Sequence, residues 1–69
     1  MSDRWFAKFR MDWITEMLQI YGFVNRHHLM RKFDISMPQA SMDIRAYMKA
    51  HPDAMIYDLT KKQYVTKPK

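Results

Sequence analysis

The chain has no cysteine, so neither a disulfide framework nor a thiolate zinc site can hold it together. It has one glycine and three prolines, too few for a flexible linker or a low-complexity tail. No apolar run approaches the ~20 residues of a membrane span, and no charged-then-apolar leader opens the sequence. A place of work in the compartment where the chain is made is therefore expected, with no membrane partner. Acidic residues are scarce as well: seven Asp and Glu stand against twelve Lys and Arg, for a net charge of +5. There is no glycine-rich phosphate loop and no carboxylate pair with room for a pocket, so enzymatic activity and a cofactor are not expected. His27 and His28 do not make a metal site. Neighbouring helical residues point ~100° apart, and neither has a Cys, Asp or Glu at ligand spacing on its own face. A phosphate contact from one of them is the better reading.

What remains is a single small domain of 69 residues, which buries only ~60% of the surface its unfolded chain exposes. At 48% hydrophobic and 14% aromatic, it has the side chains to build a thin core unaided. The basic excess suits phosphate backbones as a partner, although the same excess also serves only to keep many small proteins in solution.

Hydrophobic periodicity predicts three helices followed by a hairpin. Ser2 and Asp3 can cap a first helix over about 3–21, ended by Gly22 in a left-handed conformation. Phe6, Phe9, Trp13, Met17 and Ile20 recur at spacings of three and four and form its expected core stripe. Arg4, Lys8, Asp12, Thr15 and Gln19 fall opposite. A second apolar face, Ala7, Met11, Ile14, Leu18 and Tyr21, leaves two readings open. Either the wing and third helix bury both faces, or part of the arc, with Trp5, is a homodimer interface.

Asn25 is a favoured N-cap for a second helix over about 26–33, with Leu29, Met30 and Phe33 inward. Ser36 and Gln39 form an S-x-x-Q capping-box pattern, and Pro38 is tolerated in the first turn. A third helix over about 37–50 follows, burying Ala40, Ile44, Tyr47 and Met48 and stopping at His51 before Pro52. From Ala54 the period becomes two. Met55, Tyr57 and Leu59 alternate with Ile56 and Asp58, and Gln63 to Thr66 return, giving a hairpin over about 54–66. Thr60, Lys61 and Lys62 make its turn, and Lys67 to Lys69 read as a frayed tail.

This order, mainly α with a small β-hairpin, is that of a three-helix winged helix-turn-helix. Asp34-Ile35-Ser36 supplies the short step between the second and third helices, and Ala40 lets their backbones approach. The stretch from Tyr21 to Arg26, together with Leu29-Met30, Phe33 to Ser36, Pro38 to Ser41, Asp43-Ile44 and Tyr47, resembles a known family. It is similar to the N-terminal winged-helix domain of WYL-domain transcriptional repressors of bacterial phage-defence loci, which share features with DeoR-type repressors. Tyr57-Asp58, Lys62, Tyr64 and Val65 look like that family's wing. The most specific part is the S-x-P-Q-A-S-x-D run from Ser36 to Asp43. The resemblance implies a sequence-specific binder of double-stranded DNA, acting as a repressor. Such regulators continue into a dimerising region and a ligand-sensing domain. These 69 residues correspond to the reading head alone, so no small-molecule effector is expected of them.

On the third helix the arc opposite the core carries Pro38, Met42, Arg45 and Lys49, flanked by Gln39 and Ser41. Gln39 suits a bidentate contact to adenine and Arg45 one to guanine, while Gln39 could equally complete the capping box and Arg45 lie on a solvated face. Ser36 and Ser41 can reach a phosphate or base edge, and exposed Met42 a thymine methyl. Asn25 and Arg26, at the start of the second helix, and Lys61 and Lys62, at the hairpin tip, are candidate phosphate contacts. Asp43 reads as a structural partner for an arginine. The competing class is a winged-helix module that docks another protein and does not touch DNA, for which Met42 and the aromatic first helix would serve.

Overall fold

The computed structural model describes residues 3–68, with side chains from Phe6 onward. The expected Ser2 and Asp3 cap, the side chains of Arg4 and Trp5, and Lys69 lie outside the described residues. Three helices and three short strands follow in the order α1 (Asp3–Ile20), β1 (Phe23–Val24), α2 (Arg26–Phe33), α3 (Met37–Ala50), β2 (Met55–Asp58) and β3 (Gln63–Thr66). The helix boundaries fall within a residue of those predicted. Gly22 ends α1 at φ 81°, and its N–H donates to the Met17 and Leu18 carbonyls at 3.0 and 3.1 Å, as a left-handed helix stop requires.

The sheet is a correction to the expected two-stranded hairpin. Phe23 and Val24 pair antiparallel with Val65 and Tyr64, so β3 is the central strand of an antiparallel sheet in the order β1-β3-β2. Two residues carry too little periodicity to announce a strand, yet they tie the wing to the end of α1. Thr66 reinforces the tie, donating from its backbone to the Gly22 carbonyl at 3.0 Å and from its hydroxyl to the Leu18 carbonyl at 3.0 Å. The tail is also held further out than expected: Lys67 donates to the Ala54 carbonyl at 3.1 Å and lies 3.5 Å from the Asp53 carboxylate.

The core collects Ile14 and Leu18 of α1, Val24, Leu29, then Ala40, Ile44 and Tyr47 of α3, and Met55. Each wholly buried aliphatic among them contributes about 1.5–3 kcal/mol. This reverses the faces expected for α1. Phe6 is 44%, Phe9 50% and Ile20 67% exposed, while Trp13 and Met17 are half-buried at the core's edge. Trp13 meets Phe33 of α2 edge-on, 5.6 Å between centroids. The inward stripe is the second one up to Leu18, while Tyr21 at its end is 63% exposed, and Thr15, expected on the opposite side, is half-buried beside it.

Polar partners choose between the two apolar arcs. Arg10 and Thr15 flank the Ile14 stripe, and each finds a complement on α3: Arg10 Nε donates to Asp43 Oδ2 at 2.6 Å, and the Thr15 and Tyr47 hydroxyls share a hydrogen bond at 2.8 Å. Buried polar atoms need such partners, so these two clamps fix the rotation of α1 on α3. The wing alternation also fails beyond its first residue. Met55 is buried, but Tyr57 is half-exposed and Leu59 is 80% exposed, because the turn carries them past the end of the core.

Candidate nucleic-acid interface

The first turn of α3 is fixed by Ser36, whose hydroxyl accepts from the Gln39 backbone N–H at 3.3 Å. The reciprocal half of the expected capping box is not made. Instead the Gln39 amide turns along the helix and donates to Asp43 Oδ1 at 2.9 Å. Asp43 is 4% exposed, so its carboxylate needs two donors to be buried, and Gln39 and Arg10 are those donors. The arginine partner expected for Asp43 is thus Arg10.

With Gln39 drawn toward α1, the presented arc of α3 is Pro38, Met42, Arg45 and Lys49, all exposed. Met42 is 61% exposed, as predicted. Ser41 lies at the margin of this arc and accepts from Arg26 Nη1 at 3.4 Å, which joins the start of α2 to α3.

A capping box does exist, but on α2. Asn25 Oδ1 accepts from the His28 N–H at 3.0 Å, and His28 Nδ1 accepts from the Asn25 N–H at 3.3 Å. Histidine replaces the usual Glu or Gln, which is why the sequence pattern does not announce it. Burial, then the neighbouring His27, lowers the His28 pKa from its ordinary value of 6.5, so the ring is held in the neutral form that can accept. The two histidines therefore divide: His28 is occupied by the cap, and His27 faces outward.

His27 belongs to a cleft of about 210 Å³ between the start of α2 and the wing, lined also by Asn25, Arg26, Tyr57, Lys62 and Tyr64. Tyr57 and Tyr64, opposite each other across β2 and β3, pack edge-on at 4.9 Å and form its wall. Two cations, an imidazole and two phenols line it without a carboxylate, at the positive end of a helix dipole. Phosphate oxygens fit that donor set. Arg26, Lys62 and Asn25 are thereby brought together, and the Arg26–Ser41 bond makes the cleft continuous with α3. Lys61 is exposed on the adjoining turn, and Lys49 lies at the far end of α3. Sequence reasoning missed Tyr57 and Tyr64. Their signal was a register that places them face to face once the turn is counted as four residues.

No group of three His, Asp or Glu that could hold a metal occurs among the described residues, and no described helix is long and apolar enough to cross a membrane.

Residues 7–69 match the family profile of the BrxR transcriptional regulator winged helix-turn-helix domain. The chain belongs to this family. Its curated relatives include the DNA-binding transcriptional repressors CapW of three bacteria. That of Stenotrophomonas maltophilia is 40% identical over 65 residues, 94% of this chain. Those of Escherichia coli strain KTE188 and Pseudomonas aeruginosa are 39% and 38% identical over 61 residues, 88% of this chain. The chain spans 20–22% of the length of these relatives, about one fifth. As a BrxR-type winged helix it has the three helices and small antiparallel sheet described above.

Proposed function

We propose that this domain binds double-stranded DNA sequence-specifically and serves as the reading head of a transcriptional repressor, without catalysis. The observation that carries the reading is one continuous face: Met42 and Arg45 on α3, the Arg26–Ser41 link, and the basic cleft closed by Lys62. Its likeness to repressors named as DNA-binding supports the same conclusion. α3 enters the major groove, with Arg45 and Met42 toward base edges and Pro38 and Ser41 at the margin. Arg26, Asn25, Lys49, Lys61 and Lys62 lie along the phosphates, and Ser36 and Gln39 hold the helix start in register. The setting is the bacterial cytoplasm, on the nucleoid, at a phage-defence or mobile-element locus. A homodimer through α1 completes the reading: Phe9 and Trp13 with Phe33 of α2 line a groove on the side of α1 turned away from its buried stripe.

The test is electrophoretic shift of duplexes selected from a random pool. Affinity is expected to fall steeply with salt, with a log–log slope of about −0.9 per phosphate neutralised. Arg45→Ala is expected to relax base preference by roughly 1–3 kcal/mol at one position. Lys61→Ala with Lys62→Ala is expected to weaken all sequences alike and flatten the slope. Failure to shift any duplex at low salt would overturn the reading in favour of a protein-docking module.

A further inference from the structure

Methionine supplies all the sulfur of this chain: eight residues, with no cysteine to take an oxidant first. Among the described side chains, Met11, Met17, Met30 and Met48 pack against the core and Met55 is 2% exposed, while Met37 and Met42 are 44% and 61% exposed. Both solvent-facing thioethers therefore lie on α3. One exposed methionine is ordinary on a protein surface. Met42, however, stands in the middle of the presented arc, four residues after Pro38 and three before Arg45, and so neighbours both on one helix face. Side chains on a helix lean toward its N-terminus, which carries the Arg45 guanidinium back over the turn that holds Met42.

We propose that Met42 is a modification site, a thioether that a peroxide oxidises reversibly to the sulfoxide, loosening the grip of α3 on DNA. This rests on the duplex-DNA reading above. In the step, one peroxide oxygen passes to Met42 Sδ. The O–O bond breaks, a sulfur–oxygen bond forms, sulfur gives up two electrons and the peroxide leaves as water. A flexible apolar side chain becomes polar and chiral. Its new oxygen accepts hydrogen bonds and donates none. Against a thymine methyl that oxygen loses its water and gains no donor. Pro38 offers it no N–H, so the donor beside it on the arc is Arg45, whose guanidinium is then held on the sulfoxide instead of a base. One oxidation thereby disables two contacts. Enzymatic reduction of the sulfoxide returns the thioether.

The experiment uses the full chain, hydrogen peroxide as the oxidant and a duplex recovered by selection from a random pool. Peptide mass mapping follows each sulfoxide as the gain of one oxygen, and electrophoretic shift follows binding on the same samples. Met42 is expected to oxidise with or before Met37 and well ahead of the core methionines. Binding is expected to weaken about fivefold or more as the Met42 sulfoxide accumulates, and to return after treatment with methionine sulfoxide reductases. Met42→Leu, compared only with itself, is expected to bind within about twofold before and after the same dose, while Met37→Leu keeps the wild-type loss. The inference is overturned if the core methionines oxidise as fast as Met42, if binding is unchanged once Met42 is oxidised, or if Met42→Leu loses as much as wild type. In each case binding of the untreated chain to the selected duplex shows that the duplex reading stands. Recovery of no duplex at all by selection overturns both.

Discussion

Asp43 takes two donors inside the α1–α3 interface, Arg10 Nε on one oxygen and the Gln39 amide on the other. The Asp43 and Arg10 side chains are only 5% and 14% exposed, so neither charge is screened by water in the way surface pairs are. Removing one partner leaves the other charge buried and alone, a loss of about 3 kcal/mol or more. Asp43→Ala is expected to lower the unfolding free energy read from urea denaturation by that amount, whereas Asp43→Asn, which keeps an acceptor for Arg10, is expected to lose less. His28 gives a second expectation, in pH. Its folded pKa lies below the ordinary 6.5, so the unfolded chain takes up the proton first. Stability is then fully present above the unfolded value and is lost as pH falls through the folded one. Protonation also turns the Nδ1 acceptor of the capping box into a donor. His28→Gln keeps an acceptor at that position without the titration. It is expected to lose less stability than wild type between about pH 7.5 and about pH 5.5, measured by urea unfolding at each pH. Equal losses in both proteins would show that the cap does not titrate.

Among the elements, the wing turn holds a residue against its own preference. Lys62 lies at φ 55°, where a side chain costs about 1 kcal/mol relative to glycine. Such strain persists where the residue serves a purpose, and here Lys62 closes the basic cleft. Lys62→Gly is expected to stabilise the fold by about 1 kcal/mol and to weaken DNA binding. Lys62→Ala is expected to weaken binding with no stability gain, because alanine keeps the Cβ. Thermal unfolding and a binding titration on the same proteins separate the two effects. The elements also show what a sequence can reveal. α2 and α3 were legible because each has one apolar face and a strong N-cap, Asn25 or Ser36. The inward face of α1 was not, since two apolar arcs compete and the deciding contacts, Arg10 with Asp43 and Thr15 with Tyr47, join residues 33 and 32 positions apart. β1 is two residues long and exists only through β3. The candidate site was legible where it needs exposure and charge, as at Met42, Arg45 and Arg26. It was illegible where a polar side chain had two uses, as with Gln39, whose second use is visible only when Asp43 is seen to be buried.

For the whole molecule, on the proposed duplex-DNA reading, the question is how much DNA one head can hold. A single helix in one major groove and one short wing reach a few base pairs and a handful of phosphates. Specific sites are usually read by two such heads related by a two-fold axis, on half-sites about one or two helical turns apart. The surface for that pairing has to be apolar and to lie away from α3's presented arc. The side of α1 that carries Phe9, 50% exposed, with Trp13 and Phe33 beside it, meets both conditions, because the rotation of α1 that buries Ile14 turns the aromatic arc outward. Asp12 and Glu16 rim the same groove together with Lys32, so a two-fold copy can set a carboxylate of one protomer against a lysine of the other. A concentration-dependent rise from the 8.5 kDa monomer toward twice that mass is expected in light scattering at two protein concentrations. Phe9→Glu is expected to remain at the monomer mass in both. Operators recovered with wild type should then be inverted repeats, and those recovered with Phe9→Glu single half-sites bound more weakly. A strict monomer at both concentrations, with selected sites lacking two-fold symmetry, would exclude pairing through α1.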